Sequence, residues 1–408
     1  MYGLVLEGGG SRGAFHIGAY KALQDLNIEI DLVVGTSIGA MNAAMICQDK
    51  VDEAYEMWEN IKPSMILSLE EDELKTVINK KINIEGMKIY GKMLHKMIGE
   101  KGLDSSAMED LVNYHIDEEL LRKSTKQYGL VTVSLTDREP VELYIDEIPL
   151  GKLNDFILAS ANYPLFKRKK VENKNYIDGG LANNLPINMA IKKGFENIIV
   201  IRTKENNILR GLKRIKENNL NIMYIYPSEN LGGSLDFDKE RANRNLKLGY
   251  FDTMRVFKDL NGQSYYIRVD QQETDFFDML NLIDKDMVIK MRDLFGLPQI
   301  DSYKRLLFEF IIPKIAKIVS LEEDYTYKNF VIGILEVVAE YLKIERLNIY
   351  SSKEFYDIIY EKYSFENKLL ENETYFEKIL QLDLLNLKNK NKIIISVFEI
   401  IKDVISFD

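Results

Sequence analysis

The fold class follows most directly from residues 31–47, which read DLVVGTSIGAMNAAMIC. The apolar run Leu32-Val33-Val34 is typical of a buried parallel strand. It leads into the turn Gly35-Thr36-Ser37-Ile38-Gly39, after which residues 40–47 have the composition of a buried helix. The segment therefore predicts a strand, a tight turn and a helix in direct succession.

The residues before this segment repeat the same arrangement. Residues 3–7 form a short apolar strand pattern, a glycine cluster follows, and residues 14–26 carry apolar side chains at helical spacing. Two consecutive strand–turn–helix units are typical of an α/β sheet flanked by helices. Further strands are predicted at residues 129–134, 141–144, 176–178, 197–201 and 222–226, and residues 50–125 are predicted to be a mostly helical insertion.

The chain is long enough for two domains. Its 408 residues exceed a comfortable single core. From about residue 275 the pattern becomes helical, with helices predicted at 279–295, 303–319, 329–342 and 390–407. We therefore predict an α/β domain over residues 1–260 and a smaller, mainly helical domain over 261–408. The apolar run in the last helix fits either a bundle core or a lipid-surface element.

Composition restricts the partners and the compartment. The formal net charge of −10 argues against the electrostatic footprint of a nucleic-acid-binding protein. The single cysteine, Cys47, allows no intramolecular disulfide, which fits a reducing compartment. Neither a signal peptide nor an apolar run near the ~20 residues of a spanning helix is visible. We expect a cytoplasmic protein, and peripheral contact with a membrane stays open.

Ser37 is a candidate nucleophile. The pattern G-x-S-x-G between a strand and a helix places a hydroxyl at the tip of a strained turn. The small residues Gly35 and Gly39 let the strand and the helix pass closely. The following helix directs the positive end of its dipole at Ser37, which favours negative charge at a reacting centre. The pattern alone is a weak signal, and the predicted strand and helix around it strengthen it.

A candidate oxyanion hole follows the first strand, in the cluster Gly8-Gly9-Gly10-Ser11-Arg12-Gly13. We expect the backbone N–H groups of Gly9, Gly10 and Ser11 to hold a carbonyl oxygen as it becomes negative. Arg12 can steady the loop or the charge. The cluster also contains G-x-G-x-x-G, but a dinucleotide site calls for an acidic residue at the end of the second strand. Asp31 begins that strand, so a nucleotide-binding enzyme is the weaker alternative.

The candidate base is a carboxylate. The chain has three histidines, His16, His95 and His115, and none follows Ser37 and an acid in the usual α/β-hydrolase order. Asp178 is the last residue of a predicted strand, and Gly179-Gly180 form a turn directly after it, so we predict that Asp178 is the base. A turn aspartate that satisfies its own backbone is the alternative. His16 is predicted to be a packing or loop-bracing residue.

These residues belong to a larger set that resembles the patatin-like phospholipases. The matching blocks are Gly8-Gly9-Gly10-Ser11-Arg12-Gly13, Gly35-Thr36-Ser37-Ile38-Gly39, Ala159-Ser160-Ala161 with Pro164 and Phe166, and Asp178-Gly179-Gly180. They occur in the family's order, and residues 232–250 also resemble bacterial members. The resemblance covers roughly residues 1–260 and implies a three-layer α/β catalytic domain, a Ser37–Asp178 dyad and a glycine-loop oxyanion hole.

The resemblance also implies an activity. The expected enzyme is a carboxylic ester hydrolase of the phospholipase A type, which degrades lipids through an acyl-enzyme without a metal or a cofactor. A general carboxylesterase or thioesterase with the same dyad is the first alternative, and an inactive scaffold is another. A lipid or acyl ester is the expected partner, and the sequence does not identify a protein partner. The basic residues 167–170, with Lys174, fit either a solvated loop or a contact with anionic headgroups.

Overall fold

A computed structural model of the chain describes residues 1–66, 104–163, 166–167, 169–205, 213–217, 219–369 and 388–407. The chain divides into two compact units, Met1–Val256 and Phe257–Asp408. The assignment of a catalytic role to residues 1–260 stays a prediction. His95, Pro164, Arg168 and much of the predicted helical insertion lie outside the described residues.

The first unit is a mixed α/β structure, which confirms the predicted fold class. Its strands are β1 Tyr2–Leu6, β2 Ile30–Thr36, β3 Gln127–Ser134, β4 Glu139–Tyr144, β5 Lys169–Val171, β6 Lys174–Asp178, β7 Asn197–Ile201, β8 Lys213–Glu217 and β9 Leu220–Ile225. Its helices are α1 Ala14–Asp25, α2 Ile38–Cys47, α3 Val51–Glu59, α4 Ser106–His115, α5 Glu118–Arg122, α6 Leu153–Ser160 and α7 Ile187–Lys192, and α8 Lys239–Lys258 ends the α/β part. The short strands β5 and β8 were absent from the predicted set.

The strands form one sheet within the described residues, in the order β5-β6-β3-β2-β1-β7-β9-β8, with β4 also paired to β3. β1, β2, β3, β7 and β9 run parallel, whereas β6 runs antiparallel to β3. The register of β3 matters most, because Val131 pairs with Thr36 of β2 while the neighbouring Thr132 pairs with Asp178 of β6. Ser37, which follows Thr36, and Asp178, the last residue of β6, therefore lie on opposite sides of β3 at the same height along that strand.

Both faces of this sheet are buried, as expected for parallel strands. On one face Val5, Val34 and Val200 pack with Met189 and Ala190 of α7. Leu4, Leu6 and Val33 alternate with those residues along their strands and are fully buried on the other face. α2, which packs against β2 and β3, is buried along its whole length. The loops at the carboxyl edge therefore project from a sheet that is buried on both faces.

The second unit is mainly helical, as predicted. Its elements are β10 Tyr266–Arg268, α9 Glu273–Asn281, α10 Lys285–Phe295, α11 Tyr303–Arg305, a π-helix Leu306–Ile311, α12 Ile312–Ile318, α13 Tyr327–Tyr341, β11 Ile349–Ser351, α14 Ser352–Leu369 and α15 Lys388–Ile401. The predicted helix 279–295 is in fact two, because Asp284 caps α10 by accepting a hydrogen bond from the Met287 N–H at 2.9 Å. The sequence pattern also missed α14 and the short parallel pair β10–β11.

The apolar last helix belongs to a protein core. Ile394, Ile395, Val397 and Phe398 of α15 are buried in the hydrophobic cluster of the second unit. This result favours the bundle-core interpretation of that run over the lipid-surface one. Among the described residues, no helix combines the length and the apolar character that crossing a bilayer requires.

Candidate active site

Ser37 occupies a strained turn between β2 and α2. Its backbone has φ 57° and ψ −126°, a conformation that a residue with a side chain rarely adopts. The flanking glycines are required by close packing. A Cβ atom on Gly35 would lie 2.3 Å from the backbone of Gly39, and one on Gly39 would lie 2.5 Å from the Leu6 carbonyl oxygen. The turn therefore holds the Ser37 side chain at the N-terminal end of α2, where the helix dipole favours negative charge.

Ser37 and Asp178 meet although they are far apart in the sequence. The Ser37 Oγ donates a hydrogen bond to Asp178 Oδ2 at 2.7 Å across a separation of 141 positions. The other carboxylate oxygen, Oδ1, accepts a hydrogen bond from the Gly180 N–H at 2.7 Å. Both residues are buried. The pair lies where the shared register of β3 brings the ends of β2 and β6 together.

The environment of Asp178 makes its carboxylate more basic. Burial raises the pKa of Asp178 above its ordinary value, and the hydrogen bonds from Ser37 and Gly180 oppose that rise. Because the effect of burial is the larger one, the carboxylate binds a proton more readily than it would in water. Such a carboxylate can accept a proton from a hydroxyl that it already contacts.

The glycine cluster has fewer available amides than the sequence suggested. The Gly8 N–H donates to the Asn184 carbonyl at 3.2 Å, and the Ser11 N–H donates to the Ser234 carbonyl at 2.9 Å. The Ser11 amide is therefore already engaged, contrary to the expectation that it holds an oxyanion. In the part of the chain that the structure describes, the N–H groups of Gly9 and Gly10 have no hydrogen-bond acceptor, and both residues line the cavity next to Ser37.

Residues 232–234 clamp the glycine cluster. The Ser11 hydroxyl donates to the Gly233 carbonyl at 2.8 Å, and the Arg12 Nε donates to the Gly232 carbonyl at 2.8 Å. Gly10 packs so closely on this segment that a Cβ atom there would lie 2.0 Å from the Ser234 carbonyl oxygen. Of the two roles considered for Arg12, these contacts fit the steadying of the loop. The resemblance of residues 232–250 to bacterial members did not predict this clamp.

A partly buried ion pair braces the start of the cluster, and sequence reasoning missed it. The Glu7 carboxylate accepts hydrogen bonds from Arg202 Nε at 2.9 Å and from the Thr203 N–H at 2.7 Å. The Thr203 hydroxyl in turn donates to the Gly8 carbonyl at 2.9 Å. Glu7 is only 3% exposed, so these partners offset the desolvation of its charge. An acidic residue at the end of a buried strand could have indicated this network.

The described histidines take no part in the Ser37–Asp178 contact. His16 is completely buried and lies 3.3 Å from the Asn42 amide nitrogen, and burial lowers the pKa of His16 to about 3. It therefore stays neutral and packs beneath the glycine cluster, where Asn42 also donates to the Gly13 carbonyl at 2.9 Å. His115 contacts Glu53 at 2.6 Å.

A cavity of about 270 Å³ opens onto Ser37 and Asp178. Its wall is largely apolar, and the apolar lining includes Ile38, Met41, Ile66, Met108, Val112, Ile157, Phe166 and Phe237. Three further lining residues are exposed, namely Tyr163, Leu181 and Lys204. The cavity can therefore take an apolar chain and bring a polar group at its end to the serine hydroxyl.

The basic run near Asp178 is only partly available for binding. Lys167 and Lys170 are exposed. Lys174 pairs with Asp137 at 2.8 Å. Arg168 and the side chain of Lys169 lie outside the described residues. The headgroup interpretation of this run gains no further support from its geometry.

Parts of this chain are similar to known proteins. Residues 4–191 match the family model described as patatin-like phospholipase. A stretch of 48 residues is 56% identical to the neuropathy target esterase sws of Drosophila sechellia, and equally to those of Drosophila persimilis and Drosophila grimshawi. That stretch is 12% of this chain and only 3% of each esterase. VipD from Legionella pneumophila is 14% identical, with a TM-score of 0.41 over 98% of this chain and 91% of VipD.

Proposed function

Because residues 4–191 of this chain carry a patatin-like phospholipase domain, we propose that the protein is a serine lipid acyl hydrolase that works through a Ser37–Asp178 dyad. One observation carries the proposal. The hydroxyl of a residue held at a strained turn donates to a buried carboxylate at 2.7 Å, at the end of an apolar cavity. A nucleophile, a base in contact with it and an apolar binding site are the elements that ester cleavage requires.

In the acylation step, the Ser37 Oγ attacks the ester carbonyl carbon while Asp178 takes the hydroxyl proton. The carbonyl oxygen becomes negative as the new C–O bond forms. When the ester C–O bond breaks, Asp178 returns the proton to the departing alcohol, and the acyl group stays on Ser37. Burial supports this cycle, since it raises the pKa of Asp178 toward that of a useful acid–base group.

The negative carbonyl oxygen needs hydrogen-bond donors. We assign this role to the N–H groups of Gly9 and Gly10, because the amides of Gly8 and Ser11 already donate elsewhere. Loss of one such donor typically lowers kcat by ~10²–10³. The clamp at residues 232–234 and the Glu7 network hold the backbone of these amides, so little reorganisation is needed when charge develops.

Deacylation repeats the chemistry with water. Asp178 takes a proton from a water molecule as that molecule attacks the acyl carbonyl carbon. The acyl–Oγ bond then breaks, and Asp178 returns the proton to Ser37. The products are a free fatty acid and the resting enzyme.

The apolar wall of the cavity favours acyl chains over short polar acids. Each methylene group removed from water contributes ~0.8 kcal/mol to binding. A preference for long acyl esters over acetate esters separates a lipid hydrolase from a general carboxylesterase, which shares the same dyad. A panel of p-nitrophenyl esters of increasing chain length measures it, and a kcat/KM that falls with chain length would favour the carboxylesterase.

We further propose that this is a cytoplasmic enzyme whose cavity mouth meets a lipid surface. Leu181 and Tyr163 are 64% and 40% exposed at the mouth, and Lys204 adds a positive charge there. Lys204→Gln should lower hydrolysis of phosphatidylglycerol vesicles while leaving hydrolysis of p-nitrophenyl butyrate unchanged. Equal losses on both substrates would reject the membrane contact.

Covalent labelling tests the core of the proposal. A fluorophosphonate should modify wild-type protein at Ser37, and Ser37→Ala should abolish both labelling and ester hydrolysis. Ser134→Ala is the matched control, since it removes another buried hydroxyl, one bound to Asp137 at 2.7 Å. Labelling that persists in Ser37→Ala, or maps to another residue, would exclude the dyad.

A further inference from the structure

The C-terminal end of α6 contacts the backbone of both members of the dyad. The Ser160 hydroxyl accepts a hydrogen bond from the Ser37 N–H at 2.9 Å. Two residues later, the Asn162 carbonyl accepts a hydrogen bond from the Asp178 N–H at 2.9 Å. Ser160 is completely buried, and Asn162 is 4% exposed. One short segment therefore holds both residues by their main chains.

The Ser160 hydroxyl has a second partner that belongs to the same region. It donates to the Val131 carbonyl at 2.6 Å, and Val131 pairs with Thr36 in the sheet. Gly179 packs against that same carbonyl, since a Cβ atom on Gly179 would lie 2.2 Å from the Val131 oxygen. The Ser160 hydroxyl thus connects the Ser37 N–H to the Val131 carbonyl of β3, and Gly179, which follows Asp178, packs against that same carbonyl.

The strained backbone of Ser37 depends on the hydrogen bond to Ser160. A non-glycine residue at φ 57° persists only where its surroundings hold it there. The Ser37 N–H is buried, and the Ser160 hydroxyl is its partner. Removing that hydroxyl would leave the N–H unpaired and let the turn relax, which would move the Ser37 Oγ away from Asp178.

We infer that Ser160 is a positioning residue that sets the distance and direction between the Ser37 hydroxyl and the Asp178 carboxylate. The inference rests on the proposed function, because it gives Ser160 a role only in a reaction carried out by that pair. Ser160 acts through the Ser37 main chain and through Val131, so it affects the chemical step and leaves the binding of substrate in the cavity unchanged.

The test compares Ser160→Ala with wild-type protein on p-nitrophenyl butyrate. Fluorophosphonate labelling taken to completion measures the concentration of active sites. Because kcat is calculated per labelled site, misfolded protein does not lower it. We expect kcat and the labelling rate constant to fall together by about 10- to 100-fold, as a displacement of reacting atoms near 1 Å produces, with KM close to wild type. Ser160→Cys keeps a hydrogen-bonding group at this position, although sulfur is larger than oxygen and a weaker acceptor, so its rate should lie between those of Ser160→Ala and wild type.

The Ser134→Ala control should keep the wild-type kcat per site, because it loses a buried hydroxyl that contacts neither dyad residue. A wild-type kcat per site in Ser160→Ala, or a raised KM with kcat unchanged, would overturn the inference. Failure of the proposed function is a separate outcome, since wild-type protein would then show no labelling at Ser37 at all.

Discussion

Replacement of Asp178 by asparagine separates the proposed catalytic role of the carboxylate from its structural role. The amide has the same shape, so its oxygen can still accept a hydrogen bond from the Gly180 N–H, now at 2.7 Å from Asp178. Its nitrogen then faces the Ser37 Oγ and donates to it, which reverses the hydrogen bond of the wild-type protein. The hydroxyl keeps a partner but loses its base. General-base catalysis contributes ~10²–10⁴ in rate, so we expect kcat to fall by about 10³-fold or more.

The same substitution should stabilise the protein at neutral pH. Burial raises the pKa of Asp178 in the folded state, so the folded protein favours the protonated carboxyl more than the unfolded chain does. Asp178 therefore contributes its full share to the free energy of unfolding at pH values below its pKa in the unfolded chain. That contribution is lost as pH rises through its pKa in the folded protein. Asparagine, which does not ionise, avoids that loss. A gain of about 1 kcal/mol would raise Tm by roughly 2–4 °C in a unit of this size.

Two measurements check this prediction on the full chain. Hydrolysis of p-nitrophenyl butyrate per folded protein measures the catalytic loss, and thermal unfolding of wild type and Asp178→Asn at pH 7 and near pH 4 measures the stability. The Tm difference should be positive at pH 7 and shrink in acid, where the wild-type carboxyl also takes a proton. Near-wild-type turnover in Asp178→Asn would refute the role of the base. A variant less stable than wild type at pH 7 would refute the argument from burial.

Three further predictions follow from other contacts. As pH falls, log kcat/KM on a soluble ester should decrease with unit slope, since only the ionised Asp178 acts as a base. The apparent pKa of this decrease should lie above 3.8, the ordinary value for aspartate. A pH profile of kcat/KM that stays flat down to pH 3.8 and below would contradict this prediction. Gly39→Ala places a Cβ atom 2.5 Å from the Leu6 carbonyl oxygen, so denaturant unfolding should show a loss of ~1–3 kcal/mol, whereas Gly233→Ala, whose nearest neighbour would be 3.8 Å away, should show almost none. In the second unit, Glu336 accepts hydrogen bonds from the backbone N–H groups of residues 263–265 at 2.7–2.9 Å. Glu336→Gln places an amide donor against one of these N–H groups, so it should destabilise that unit by about 1–3 kcal/mol in denaturant unfolding. An unchanged unfolding midpoint would show that these hydrogen bonds contribute little to stability.

Local sequence signals predicted the strand, turn and helix around Ser37 well. The apolar run before Ser37 and the glycines beside it specify a strand and a tight turn, because periodicity and backbone freedom act over a few residues. The helix break at Asp284 was missed, since a capping side chain interrupts an apolar pattern that otherwise continues. The sequence also did not indicate that the Ser11 amide donates to Ser234, because that acceptor comes from a distant segment.

The amino-acid sequence alone determined the fold class, the position of a strained serine between a strand and a helix, and the choice of a carboxylate over a histidine as its partner. Tertiary structure decided which carboxylate oxygen that serine meets, which amides of the glycine cluster stay available, and that the Ser160 hydroxyl accepts a hydrogen bond from the Ser37 N–H. The reason is physical. Strand order and register place Thr36 and Asp178 beside neighbouring residues of β3, and such pairings between distant segments leave no periodic signal in either segment.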